Sequence, residues 1–172
     1  MRSVPPPLAA ASRAVFATAF GTCALSWGNA GLTGFELPEA AREPGDAANP
    51  PSEIAAITDR VRRHLSGALQ DFFDLRYHFA LVPEFAREVY LATLAVKAGQ
   101  TRTYGEIAAA IGQMPAASRA VGAALGANPW PLLVPCHRIV SSDGKMTGFS
   151  APGGVRTKLR LLALEGAELF PV

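Results

Sequence analysis

The run NPWPLLVPCHRIV at residues 128–140 constrains this chain more than any other stretch. Pro129, Pro131 and Pro135 each fix φ and lack a backbone N–H, so no helix can run through the segment. An extended path is expected, with Leu132, Leu133 and Val134 as a buried strand and Cys136 and His137 emerging where it ends. A free cysteine is more often a small buried hydrophobe than a nucleophile. Here His137 and Arg138 follow directly, and positive neighbours lower a thiol pKa from its usual value of about 8.5. Neighbours on a strand point to opposite faces. His137 is therefore expected to reach Cys136 through a turn or a bridging water.

An imidazole that serves a nucleophile is usually oriented by a third group, and Glu165 fits that place. In a helix spanning residues 155–165 it falls on the side of Leu161 and Leu162, with Lys158 two turns earlier on the same side. The competing reading is a solvated glutamate near a helix end, paired with Lys158. Residues 144–154 read as a loop that walls a pocket between these parts.

Residues 84–97 carry apolar side chains at helical spacing (Phe85, Val89, Leu91, Leu94), and Gly99 follows as a stop. Thr103 caps a second helix over residues 104–111, with Glu106 three residues later. A short turn at residues 112–115 leads to a third helix over residues 116–126. The outline is that of a helix-turn-helix, shared with many bundles that bind no DNA. In the third helix Ala117, Val121, Ala124 and Leu125 gather on one side. Arg119, Gly122, Ala123 and Gly126 gather on the other. Glycine costs about 1 kcal/mol in a helix interior relative to alanine, so small residues there imply close approach by something. A nucleic acid or a neighbouring helix would each satisfy that. One long cation is too little for base-by-base reading of a major groove.

The first half is less orderly. Residues 25–37 alternate around a turn at residues 29–31, which predicts a hairpin. Residues 39–51 read as a loop, and Ser52 is expected to cap a helix running to Ser66, with Gly67 as stop. Alternating aromatic and apolar residues at 72–82 predict another strand, and Pro83 marks the boundary. The fold class is α+β, with domains at residues 1–83 and 84–172 and a Pro-rich start of about a dozen residues expected to be disordered.

Of the 172 residues, 49% are hydrophobic, enough for a sizeable core. The net charge of +2 is uneven: seven Lys/Arg against eight Asp/Glu up to Pro83, nine against six beyond it. A basic second half suits a polyanion. The two cysteines, Cys23 and Cys136, cannot form a four-cysteine zinc site, and His64, His78 and His137 have no metal-ligand spacing. No metal or cofactor is expected, and the cysteines read as free thiols. Residues 14–27 are apolar after Arg13, but Pro5, Pro6 and Pro7 precede them, and they read as strand and turn rather than as a signal peptide. A monomer in the cytoplasm, without a membrane partner, is expected.

The blocks TYGEIAAAIG, SRAVGAALGANP, VPCHRIV and TGFSAPGGVRTKLRLLALEG, in that order, resemble the 6-O-alkylguanine-DNA alkyltransferases, also called methylated-DNA–protein-cysteine methyltransferases. The resemblance covers residues 85–169 and extends loosely back to about Ile54. It implies an RNase H-like N-terminal domain and a C-terminal domain with a minor-groove helix-turn-helix and an active-site cysteine strand. It implies that Cys136 accepts an alkyl group from alkylguanine in double-stranded DNA, with O4-alkylthymine as a second candidate lesion. His137 would activate Cys136 through water, Glu165 would hold His137, and Asn128 would brace the turn before the active-site strand. Tyr104 would rotate a phosphate and place its hydroxyl near the base. Arg119 would fill the gap left by the flipped base, with Ala117, Gly122, Ala123 and Arg138 also at the DNA. Val134, Pro131, Phe149, Ser150 and Lys158 would line the pocket.

Two departures from the family pattern stand out. Phe149 occupies a position where many members have tyrosine, and residues 150–154 are about two longer than in several members. The family's N-terminal zinc ligands are not recognisable. A non-reacting lesion binder would lack Cys136, a methylation-activated regulator would need a further cysteine-rich domain, and a thiol hydrolase would need a Gly-rich oxyanion turn.

Overall fold

The computed structural model describes residues 12–38, 50–143 and 154–167. The expectations for the Pro-rich start, for most of the loop after Pro38, and for Phe149 and Ser150 lie outside those residues. Strands β1 (Ser12–Thr18), β2 (Gly21–Gly28) and β3 (Gly31–Glu36) form an antiparallel sheet in the order β1-β2-β3. The hairpin read around Asn29 joins β2 to β3. Gly31 closes it at φ +128°, and a Cβ there would stand 2.5 Å from the Arg76 carbonyl oxygen. Only glycine fits such an approach.

Helix α1 (Ser52–Leu65) buries Ile54, Ile57, Val61, His64 and Leu65, one stripe at helical spacing. Ser52 does not cap it. Pro51 holds the cap position and its carbonyl accepts the Ala55 N–H at 2.9 Å, so Ser52 is already helical.

Residues 72–82 do not form the expected strand. The segment meets the β3 edge at one bridge, Leu32 to Tyr77, and then tightens into a 3-10 turn at Phe79–Leu81. Two of its aromatic residues turn inward, Tyr77 and Phe79 packing edge-on against Trp130 at 5.3 and 5.6 Å between centroids, while Phe73 stays exposed. The proline run docks on the same strand, with the Phe35 N–H donating to the Pro129 carbonyl and the Trp130 Nε1–H to the Leu32 carbonyl.

The strand expected at Leu132–Val134 is also absent, and with it the active-site strand. Val134 N–H reaches back to the Trp130 carbonyl at 2.9 Å, and Leu132 sits at φ +78°. The prolines remove the donors a ladder needs, so the chain folds on itself. The left-handed backbone at Leu132 costs about 1–3 kcal/mol, and complete burial of its side chain offsets a similar amount.

Helix α2 (Glu84–Leu94) ends three residues short of the expected Lys97. Two short strands, β4 (Arg102–Thr103) and β5 (Ile139–Val140), pair in parallel and bring the start of α3 (Tyr104–Ala110) beside the residues that follow Cys136. Thr103 Oγ1 caps α3 by accepting the Glu106 N–H at 3.0 Å. A 3-10 turn at Pro115–Ala117 leads into α4 (Ser118–Gly126), and α5 (Gly154–Leu164) closes the described chain. One hydrophobic core runs from Phe16 through Val61, Trp130 and Leu161. Among the described residues no helix is long and apolar enough to cross a membrane.

Candidate active site

Cys136, His137 and Arg138 form a single 3-10 turn, so successive side chains leave the backbone about 120° apart rather than on opposite faces. The turn is built from the proline run. Asn128 Nδ2 donates to the Val134 carbonyl at 3.0 Å while its Oδ1 accepts the Trp130 N–H at 2.9 Å. The Cys136 N–H donates to the same Val134 carbonyl at 2.7 Å. One asparagine thus fixes both ends of the bend that presents the thiol.

Cys136 keeps 8% of its surface exposed. Burial pushes its thiol pKa up, while the Asn128 hydrogen bond and the Lys158 charge pull the other way without prevailing. The resting group is a thiol that needs a base. Lys158 is almost wholly buried, with Nζ donating to the Ile139 carbonyl at 2.7 Å and lying 5.9 Å from the Tyr104 ring centroid. It is not the surface partner of Glu165 that the competing sequence reading required. Tyr104 is half-buried on α3, and burial, then the neighbouring Cys136, raises its pKa.

His137 is fully buried, and its Nε2 lies 3.0 Å from each oxygen of Glu165. Burial would push the Glu165 pKa up, but hydrogen bonds from Arg138, His137 and His64 together hold it well below the carboxylate range. An ionised carboxylate only accepts, so His137 carries its proton on Nε2. That leaves Nδ1 with a lone pair and no partner among the described residues. Burial lowers the His137 pKa despite Glu165, so the imidazole is neutral at neutral pH. A neutral imidazole with one nitrogen anchored and the other holding an unused lone pair is suited to act as a general base.

Two readings of the sequence change here. Arg138 was expected at the DNA; it is 4% exposed, with Nε and Nη2 on the two Glu165 oxygens at 2.8 Å each and Nη1 on the Val96 carbonyl at 2.7 Å. Each of its three nitrogens donates to a buried acceptor, so it is a structural partner of Glu165. Glu165 itself lies one residue past the end of α5, 4% exposed.

The sequence reading also missed two residues. His64, from α1, donates to Glu165 Oε2 at 2.9 Å; the signal was a histidine standing on a mostly apolar helical stripe. Tyr90, from α2, donates to the Ala124 carbonyl of α4 at 2.6 Å. Burial first and then Cys136 push its pKa up to about 12.

On α4 the outward residues are Arg119, Ala120, Ala123 and Gly126, with Gly122 half-buried under Tyr104. A Cβ at Gly122 would meet the Tyr104 ring at 3.8 Å, and one at Gly126 would meet no atom of the described residues within 4 Å. Ala117 is half-buried against the core, Val134 is fully buried and Pro131 is half-buried.

Comparison with known proteins places this architecture. The family model described as 6-O-methylguanine DNA methyltransferase, DNA binding domain, matches residues 84–167. The methylated-DNA–protein-cysteine methyltransferase of Methanothermobacter thermautotrophicus is 37% identical over 143 residues, which is 83% of this chain and 78% of that protein. The chain belongs to the methylated-DNA–protein-cysteine methyltransferase family. The crystal structure of the Mycobacterium tuberculosis O6-methylguanine methyltransferase superposes on this family member with a TM-score of 0.74 at 31% identity, covering 91% of this chain and 93% of that one. Mycobacterium tuberculosis OGT in complex with DNA gives a TM-score of 0.72 at 33% identity, covering 89% and 92%.

Proposed function

We propose that this methyltransferase repairs DNA by taking the alkyl group of O6-alkylguanine onto Cys136 Sγ, once per molecule. The observation that carries the reading is His137. Its Nε2–H is fixed on Glu165 and its Nδ1 is buried with no partner among the described residues, next in sequence to a thiol that burial keeps protonated. The thiol proton passes to Nδ1, directly or through one water. Sulfur then forms a bond to the alkyl carbon as the carbon–oxygen bond breaks, and the electron pair leaves on the guanine. Tyr104, whose raised pKa keeps it a phenol, is the donor for that leaving charge. The product is a thioether, which no residue here can expel.

The target atom lies inside the base stack, so the nucleotide must be flipped out, at a cost of a few kcal/mol. On this reading α3 and α4 are a helix-turn-helix that enters the minor groove. Arg119 fills the vacated stack, and Gly122 and Ala123 form the smooth floor. Pro131, Val134 and Lys158 stand around the pocket. The three-stranded sheet with α1 supports an RNase H-like unit up to Pro83, with the DNA-binding and alkyl-acceptor unit beyond it.

Intact-mass and peptide analysis after mixing with a duplex holding one O6-methylguanine tests the reading. One methyl on the Cys136 peptide is expected, and Cys136→Ala should bind the duplex without gaining mass. Transfer that survives Cys136→Ala would overturn it.

A further inference from the structure

A buried histidine from the first half of the chain reaches the carboxylate behind the reactive cysteine. His64 and Glu165 are 101 residues apart in sequence, both side chains have no exposed surface, and His64 Nε2 lies 2.9 Å from Glu165 Oε2. The tautomer is fixed from the other side, because His64 Nδ1 accepts the Gln70 N–H at 2.9 Å. A nitrogen that accepts has no proton, so Nε2 carries it and donates. The Phe72 ring, 5.6 Å away, packs against the imidazole.

A carboxylate offers about four lone-pair directions. Arg138 takes one on each oxygen, His137 lies 3.0 Å from both, and His64 takes the remaining direction on Oε2. Without His64 one buried acceptor direction is empty. The carboxylate can then turn about its last torsion toward Arg138, and the His137 proton loses its fixed acceptor.

We propose that His64 is a positioning residue for the Cys136 reaction, through which helix α1 holds Glu165 and hence the His137 tautomer. The proposal rests on the reading of Cys136 as alkyl acceptor and adds what the first half of the chain supplies to it. His64 touches neither sulfur nor base. The groups that face it are Glu165 and, behind that carboxylate, His137 and Arg138, with the Gln70 backbone and Phe72 on its own side.

The test compares the full chain with His64→Leu and with His64→Gln, which keeps an acceptor and a donor on one side chain. Nitrogen-15 spectra of histidine-labelled protein read the His137 tautomer directly. Rates of Cys136 modification by iodoacetamide and by methylated duplex are followed across pH. The wild type should show one His137 tautomer, protonated on Nε2. His64→Leu should show mixed tautomers and react with both reagents about tenfold more slowly, a fraction of the hundredfold or more that a positioned base contributes. Its pH profile should move as well, and His64→Gln should restore both signals. A folded His64→Leu with the wild-type tautomer and rates would overturn the proposal. If His64→Leu does not fold, His64→Gln decides: a mixed tautomer in a folded, fast-reacting His64→Gln also overturns it. Should the wild type fail on methylated duplex while reacting with iodoacetamide, the repair reading fails and the tautomer comparison still stands.

Discussion

Arg138 and Glu165 meet through two parallel hydrogen bonds, Nε to Oε1 and Nη2 to Oε2, each 2.8 Å and both out of solvent. Removing one partner of a buried ion pair is far more costly than the pair is worth, because the other charge stays behind. Arg138→Ala should lower the unfolding free energy by about 3–5 kcal/mol. Arg138→Lys keeps the charge but not the fork, and should cost less. Urea unfolding followed by circular dichroism checks the order; an Arg138→Ala as stable as the wild type would show the pair to be dispensable.

The same carboxylate sets a pH dependence. The folded Glu165 pKa is depressed, so its contribution to stability is complete above the unfolded carboxylate value of about 4.3. It is lost as pH falls toward the folded value. Stability of the wild type should therefore fall through the acid range, and Glu165→Gln should show a flatter dependence from a lower starting point. Unfolding free energies measured from neutral to acid pH decide it. Parallel slopes would mean that other carboxylates dominate.

Cys136, His137, Glu165 and Asn128, which the structure brings together, were picked out in the sequence through the resemblance of the blocks that carry them. What the sequence could not show was direction. In a strand Arg138 would face away from His137 and toward solvent; in the 3-10 turn both converge on Glu165. His64 was ambiguous for a different reason: a histidine on the Ile57-Val61 stripe looks the same whether it caps a core or serves a site 101 residues away. Residues 72–82 misled because aromatic alternation also arises when side chains pack on one tryptophan.

Charge around the thiol is the next test. Burial raises the Cys136 pKa and Lys158 opposes that rise, while the lowered His137 pKa keeps the base neutral. Transfer should thus quicken with rising pH beyond neutrality. Lys158→Met removes a group that favours thiolate, so the profile should shift to higher pH, several-fold slower at neutrality and recovering in alkali. Single-turnover rates across pH for both proteins check the sign. An unshifted profile would mean that Lys158 acts only by holding the Ile139 carbonyl.

The two thiols should differ sharply in reactivity. Cys23 has no exposed surface, and burial pushes its pKa up to about 11 against a weaker pull from Thr18. Reactivity follows thiolate and access. A small alkylating reagent at neutral pH should label Cys136 alone in the native protein and both thiols after denaturation. Native labelling of Cys23 at a comparable rate would show that the sheet opens readily.

The small-residue face of α4 separates two accounts of its composition. At Gly122 the neighbour is the Tyr104 ring, so part of the face is explained by helix packing; Ala123 and Gly126 are exposed among the described residues. If packing alone required small residues, substitutions at the open positions would be silent in every assay. Surface changes of that kind alter stability by about 0.5 kcal/mol or less. Gly126→Ala should be neutral or stabilising, since alanine is the better helix former by about 1 kcal/mol. Ala123→Glu should fold as well as the wild type, yet meet the phosphate backbone with a like charge. It should slow repair of methylated duplex at least tenfold while leaving transfer from the free alkylated base unchanged. Equal rates on the duplex for Ala123→Glu and wild type would take α4 away from the DNA and return its small residues to packing.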